Sequence, residues 1–431
     1  MSQDNLRAVR GTRDILPSEQ AYWSYIKNIL FSTAQSYGFA EIATPIFEYG
    51  AIFSKAIGEE TDIVAKEMYY LQSADEDRPI ALRPEGTAGV VRAYYEHGLF
   101  TEPIPLRLFY FGPMFRHERP QRGRLRQFYQ FGVESIGDGN ASEDALCILL
   151  GRQILNRLGL ANSTYHIEIN SVGCSMCRPK YISKLVQYLN ALDLKKLCDD
   201  CLKRKARNPL RVFDCKVELC QKQLAQAPTP LDFLCNDCKA HFKALLEYLE
   251  ATRVNFSINS RLVRGLDYYT RTVFEIISDT GAAQGLALIA GGRYDKLIAL
   301  FGKKDAPAIG FGLGAERIVQ LLSDAKISPP REAKPKVFVV QLGESAKKKS
   351  FTLLEQLIAS GITTSSALSK DSLKSQLKAA DRTGAKLAII IGQREIIDKS
   401  VIIKDLRSGG QETVDFEQCV TTINDRLQGM D

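Results

Sequence analysis

No apolar run in this chain approaches the ~18–20 residues needed to span a bilayer. The longest candidates, 286–290 and 387–391, are strand-sized. The opening stretch, MSQDNLRAVRGTRDILP, has no apolar centre of the kind a secretory signal carries. A cytoplasmic protein with no membrane contact is therefore expected. Charge of one sign is scarce as well. Lys and Arg number 57 and Asp and Glu 50, a net +7 that proves no nucleic-acid partner by itself. No repeat or low-complexity tract stands out. Together with 45% apolar and 25% charged residues, this excludes disordered, collagen-like and coiled-coil chains. At 431 residues the chain has room for two to four folded domains. Its ten cysteines, with no export signal, read as thiols or metal ligands rather than disulfides.

The pattern changes four times along the chain. Residues 1–172 alternate helical and strand signals, among them a helix over 18–37 that opens after Pro17 and ends at Gly38. Strands are expected at 106–111 and 127–136, and nothing between them can make a helix of useful length. They predict one long antiparallel hairpin with an arginine-rich loop. Residues 173–254 hold eight of the ten cysteines and 15 Lys/Arg against 9 Asp/Glu, and read as an inserted helical module. Strand signals return over 255–325. A proline- and charge-rich linker occupies 326–335. Alternating strands and helices over 336–431 then predict a compact α/β domain.

The loop of that hairpin is the most informative segment. Arg116, Arg119, Arg122, Arg124 and Arg126 fall within eleven positions. Charges this dense repel one another unless an anion lies among them, and guanidinium offers a planar fork suited to phosphate or carboxylate. The alternative is a solvated basic loop. Arg264 and Arg317 stand at the ends of other elements. The glycine-rich 310–314 before Arg317 has the wrong spacing for a dinucleotide fingerprint and reads as a structural turn. Among carboxylates, Glu85 sits at a helix start, where capping is the plain reading. Strand alternation places Gln130 and Glu134 on one face with Phe128 and Gly132. Two polar groups there either meet water or hold a ligand, since an uncompensated buried carboxylate is costly.

These segments together resemble the bacterial-type histidyl-tRNA synthetases, a family of class II aminoacyl-tRNA synthetases, over essentially the whole chain. Gly38–Glu48 is similar to the class's dimer-interface motif, Phe115–Glu134 to its second motif and Ala308–Arg317 to its third. Leu262–Thr270 and Gly291-Gly292-Arg293-Tyr294-Asp295 resemble the two histidine-specific peptides, and Arg83-Pro84-Glu85-Gly86-Thr87 matches as well. The resemblance implies an α+β fold: an antiparallel sheet flanked by helices, interrupted by the helical insertion and followed by an anticodon-binding-like α/β domain. It implies activation of L-histidine by ATP with Mg²⁺, transfer to tRNA(His), and a homodimer. By matched position, Arg116 and Arg264 are the catalytic cations at the α-phosphate. Arg124, Phe128 and Arg317 join Arg116 in binding ATP. Histidine falls to Glu85, Gly86, Thr87, Gln130, Glu134, Arg264, Tyr268, Tyr269 and Tyr294. His117, out of phase with Arg116 on the strand, is read as ordering the loop.

The insertion's Cys174-x2-Cys177, Cys198-x2-Cys201 and Cys235-x2-Cys238 have the ligand spacing of a structural zinc, with Cys215 and Cys220 as a looser pair. The family's insertion also occurs with several of these positions not cysteine, which keeps reduced, partly buried thiols open as the alternative. Another function class was weighed. Synthetase-like regulatory subunits sense histidine without charging tRNA, but lack the C-terminal domain and parts of the motif arginines, all present here. A general RNA-binding protein fits neither the weak net charge nor the lack of aromatic RNA platforms.

Overall fold

The computed structural model describes residues 6–72, 77–118, 124–193, 197–215, 217–302, 305–330 and 334–430. The chain divides into two compact units, Met1–Pro329 and Pro330–Asp431.

In chain order the first unit runs α1 (Pro17–Ser36), β1 (Ala40–Glu41), β2 (Phe47–Tyr49), α2 (Gly50–Ile57), β3 (Ile80–Leu82), α3 (Thr87–Glu96), β4 (Leu106–Phe115), β5 (Gln127–Ile136), α4 (Ala141–Arg157) and β6 (Tyr165–Ser171). The inserted helices follow: α5 (Arg178–Ala191), α6 (Asp199–Arg207), α7 (Glu218–Leu224) and α8 (Asn236–Ala251). The unit closes with β7 (Ser257–Ile258), β8 (Thr270–Ser278), β9 (Ala287–Arg293), α9 (Leu297–Phe301), β10 (Ala308–Gly314) and α10 (Ala315–Asp324).

Among the described residues, eight strands form one sheet in the order β1-β4-β5-β10-β9-β8-β6-β7. Its six central strands pair antiparallel, as expected, but the edge pairs β1/β4 and β6/β7 are parallel. The expected hairpin forms with Leu106 opposite Ile136 and Phe115 opposite Gln127. One sheet face packs on α1, α4, α8 and α10 through Leu30, Phe109, Phe131, Ile154, Leu249 and Leu322. Apolar side chains in that many positions at helical and strand spacing leave this face dry. The other face carries a second, smaller core around Phe53, Val91, Tyr268, Tyr294 and Leu297. It is this face, where α2 and α3 cover only part of the sheet, that has space for a ligand.

Two expected elements differ. The apolar run 39–44 ahead of Pro45 predicts a strand, but only Ala40–Glu41 forms one, because Pro45 follows closely and cannot donate to a ladder. The glycine-rich 310–314 is not a turn but the body of β10, paired on both sides.

In the second unit, β11 (Val337–Gln341), α11 (Glu344–Ala359), β12 (Thr364–Ser366), α12 (Leu373–Thr383), β13 (Leu387–Ile391), α13 (Gln393–Ile397), β14 (Ser400–Asp405), β15 (Gln411–Asp415) and α14 (Cys419–Gln428) build a five-stranded sheet ordered β12-β11-β13-β14-β15. β11 and β13 are buried along their whole length, as continuous apolar runs require when both faces are covered. Among the described residues no helix is long and apolar enough to cross a membrane.

Candidate active site

On the open face of the first unit's sheet lies a cavity of about 660 Å³. Arg116, Arg124, Phe128, Gln130, Glu134, Arg264, Tyr268, Tyr269, Tyr294, Arg317, Glu85 and Thr87 all line it. Of the residues assigned to histidine or ATP by the resemblance, only Gly86 does not line it, and Arg126 of the arginine-rich loop does not either. Arg119 and Arg122 lie outside the described residues. Distant stretches of chain, 85–87, 116–134, 264–294 and 310–317, thus meet at one hollow.

The carboxylate end is built first by the turn into α3. Glu85, 4% exposed, accepts the backbone N–H groups of Thr87 (2.7 Å) and Ala88 (2.8 Å). It therefore does cap the helix, while also forming cavity wall. Burial pushes its carboxyl above the usual range, and the two amides pull it back. Glu134, 1% exposed in β5, accepts Thr87 Oγ1–H at 2.7 Å, Tyr110 O–H at 3.4 Å, and the hydroxyl of Tyr294. Burial pushes this carboxyl up to about 8 against the pull of the Thr87 and Tyr294 hydroxyls, with the charge of Glu85 adding to the rise. Beside it, the Oε1 of Gln130 is buried with no hydrogen-bond partner among the described residues. A buried acceptor without a protein partner favours a ligand that brings a donor. Tyr268, Tyr269 and Tyr294 close this end, with Tyr268 tilted over Tyr269 at 4.7 Å and edge-on to Tyr294 at 5.6 Å between centroids.

Glycines make the room. β10 lies beside β5 with Gly310 opposite Glu134. A Cβ at Gly310 would stand 2.1 Å from Glu134 Oε2, and one at Gly312 would stand 2.5 Å from Gln130 Nε2. Gly86 has the same kind of role. Its Cβ would meet the Tyr110 ring at 2.3 Å, and Gly132 presses on that ring from β5, so Gly86 clears space for Tyr110 rather than touching the cavity. Tyr110 itself escaped the sequence reading. Its one signal was the pairing of a tyrosine with a glycine across the hairpin, Tyr110 with Gly132, which requires the register.

The basic end is assembled from β4, the loop before β8, and α10. Arg116, just past β4, donates from Nε to Pro84 O at 2.9 Å, and its guanidinium lies 5.3 Å from the centre of the Phe128 ring. Arg264 pairs with Glu275 of β8, and Arg317 donates to Ala287 O at 2.6 Å. Arg124 is partly exposed and pairs with Glu118 at 3.0 Å. Burial lowers the pKa of Arg317, and the charges of Arg124, Arg116 and Arg264 lower it further against Glu118. The four guanidinium groups thus repel within one space, and an anion placed there relieves all four. Glu118, Glu275 and Asp62 were not singled out in the sequence, since nothing marks an acid as the partner of a distant arginine. His117 is exposed, stacks edge-on to Tyr69 at 5.4 Å, and does not line the cavity.

Two motif arginines are framework. Arg83 donates to Pro113 O and Thr44 O at 2.9 and 2.8 Å. Arg293, fully buried, binds Asp144 and the carbonyls of Asp138 and Asn140, tying β9 to the start of α4.

The eight cysteines of the insertion do not share one centre. Cys174, Cys177, Cys235 and Cys238 gather in one place, and Cys198, Cys201, Cys215 and Cys220 in another.

Comparison with known proteins gives the family of both units. Residues 11–318 match the family "Histidyl-tRNA synthetase" and residues 336–426 the family "Anticodon binding domain". The histidine–tRNA ligase of Thermodesulfovibrio yellowstonii is 45% identical over 416 residues, 96% of this chain and 97% of that protein. The crystal structure of apo S. aureus histidyl-tRNA synthetase superposes with a TM-score of 0.80 at 35% identity, covering 97% of this chain and 99% of that one. A Bacillus halodurans chain described as an ATP phosphoribosyltransferase regulatory subunit/histidyl-tRNA synthetase shares the fold at a TM-score of 0.63 and 22% identity, over 90% of this chain and 98% of that one.

Proposed function

The chain belongs to the histidyl-tRNA synthetase family, and from that premise we propose how its cavity performs the family's reaction. The protein activates L-histidine with ATP and passes the histidyl group to the 3′-terminal ribose of tRNA(His). The carrying observation is the meeting of four guanidinium groups and two buried carboxyls in one hollow.

In the first step a histidine carboxylate oxygen attacks the α-phosphorus and pyrophosphate leaves. Two anions must approach, so fixed positive charge is what lowers the barrier. Arg116 and Arg264 both line the cavity and hold the α-phosphate and carboxylate. Arg124 and Arg317 grip the outer phosphates, and Phe128 with Arg317 takes the adenine on its two faces. Mg²⁺ bound with ATP would screen the negative charge of the outer phosphates beside Arg124 and Arg317.

At the other end, the lone Gln130 Oε1 accepts from the substrate's α-ammonium, alongside Glu85 and Thr87. Glu134 and Tyr269 address the ring nitrogens, and Tyr268 and Tyr294 wall the pocket. Polar groups this deeply buried reject an apolar isostere, because it leaves them unpaired. In the second step the ribose 3′-oxygen attacks the carbonyl carbon and AMP leaves. The second unit is the anticodon-binding module, and the protein acts as a homodimer.

Pyrophosphate exchange into ATP, run with each of the twenty amino acids, tests the reading. Exchange with histidine alone is expected, and a chain that supports none overturns it. Arg264→Ala should cut exchange by roughly 10²-fold or more, as loss of one oriented charge does. A defect confined to transfer would remove Arg264 from the first step.

A further inference from the structure

The insertion's cysteines take no part in the chemistry above, yet eight of them gather in two quartets. In the first, Cys174 and Cys177 sit in the turn between β6 and α5, while Cys235 and Cys238 sit at the start of α8. In the second, Cys198 and Cys201 open α6, and Cys215 and Cys220 bracket the entry to α7. Within each quartet every sulfur lies within 4.8 Å of the others. Cys174 Sγ is 3.7 Å from Cys177 Sγ and 3.9 Å from Cys235 Sγ, and Cys198 Sγ is 3.7 Å from Cys215 Sγ.

That spacing discriminates between the chemistries open to clustered thiols. A disulfide needs about 2.05 Å, and all ten cysteines are free. Four sulfurs placed about 2.3 Å from a tetrahedral zinc lie about 3.8 Å apart. Backbone N–H groups also point at the sulfurs, as they do for thiolates: Cys235 N–H at Cys177 Sγ (3.1 Å), Cys198 N–H at Cys220 Sγ (3.2 Å) and Val217 N–H at Cys215 Sγ (3.4 Å). The surrounding apolar clusters are too small to explain the gathering. The second quartet's core holds little besides its own cysteines, Leu197 and the flanking Leu192 and Leu202. The insertion's excess of basic residues offsets the negative charge that four thiolates leave on each divalent ion.

We propose that the insertion binds two structural zinc ions, one in each quartet. The first ion staples the insertion's entry to its exit across 61 residues of sequence. The second pins α6 to α7 around the segment 208–214. From that segment, Asn208 donates to Asp267 Oδ1 at 2.6 Å and Arg211 pairs with Asp62 at 2.8 Å. Asp267 lies in the loop that carries Arg264, and Asp62 and Arg211 line the cavity. The second ion therefore positions one wall of the site. That last step rests on the cavity reading; the metal content does not.

Metal analysis of the full-length protein, purified without chelator, should find two equivalents of zinc per chain. Cys174→Ser with Cys235→Ser should leave one, and so should Cys198→Ser with Cys215→Ser. The intact chain gives an independent measure: a mercurial thiol reagent with a colorimetric zinc indicator should release two ions. Cobalt exchange should give the visible bands of tetrahedral thiolate coordination. Less than about a tenth of an equivalent in the intact chain, or release of one ion only, overturns the proposal. Hydrogen exchange over 262–269 should quicken in the Cys198/Cys215 variant. Unchanged protection there overturns the link between the second ion and the cavity wall, whatever the exchange assay says of histidine.

Discussion

Glu134 keeps its proton through neutral pH because burial outweighs three hydroxyl donors, and this has a cost in stability that can be measured. The folded carboxyl is pushed up to about 8, whereas the unfolded one titrates near the ordinary value. Between those values the unfolded chain has released the proton and the folded chain has not. Stability contributed by this group therefore falls as pH rises through that window, by up to about 1.4 kcal/mol per pH unit, and levels off above it. Glu134→Gln keeps the shape and removes the titration. Thermal unfolding of the unliganded protein from pH 5 to 9 should show the variant gaining on the native chain as pH rises. Parallel curves would mean that Glu134 is ionised at neutral pH. The same variant should lose roughly 10²-fold or more in histidine-dependent exchange, since an amide cannot replace a proton-sharing carboxyl opposite an imidazole. Stability and activity then move in opposite directions, which is how a group retained for its chemistry behaves.

At the scale of elements, the cavity floor depends on a strand whose alternate residues 310, 312 and 314 are all glycine where it passes β5. Gly310 and Gly312 test this in different ways. A methyl at Gly312 meets only the far end of Gln130, which can swing aside. Gly312→Ala should fold nearly as the native chain does and raise the KM for histidine. A methyl at Gly310 meets Val133 O at 2.2 Å as well as Glu134. Gly310→Ala should cost about 1–3 kcal/mol, the penalty of overpacking, and be visible as a lower Tm. Near-native stability in both variants would show that β10 can move off β5. These elements also mark what the sequence could show. Arginine density and strand phase singled out Arg116, Arg124, Phe128, Gln130 and Glu134, because charge and alternation are local properties, whereas Arg264, Arg317, Thr87 and the tyrosines were assigned only through the family resemblance. Charge and alternation could not give the role of Gly310 or of Tyr110, because cross-strand neighbours are fixed only by register. Gly86 was assigned to the pocket by matched position in the motif, whereas a side chain there would meet Tyr110. The cysteines followed that rule too: each C-x2-C pair was legible, but the partner of each pair, 61 or 17 residues away, was not.

At the scale of the molecule, each unit has its own sheet and core. A chain ending at residue 329 should therefore keep histidine-dependent exchange within about an order of magnitude, as an independently cored unit allows, while charging of tRNA falls much further. Comparable losses in both assays would mean that the first unit needs the second in order to fold.

The same architecture constrains synthesis. β6 pairs with β8 across the whole insertion, Tyr165 opposite Ser278, and the cavity's last guanidinium belongs to Arg317. A ribosome making this chain must finish about three quarters of it before any pocket exists. Until then β5 is an edge waiting for β10, and Glu134 lacks Tyr294, the last of its hydroxyl partners to be made. Nucleotide can therefore offer no help to the nascent chain. An insertion that closes early around its own cysteines would keep the two halves of the sheet from drifting apart while the later strands are still being made.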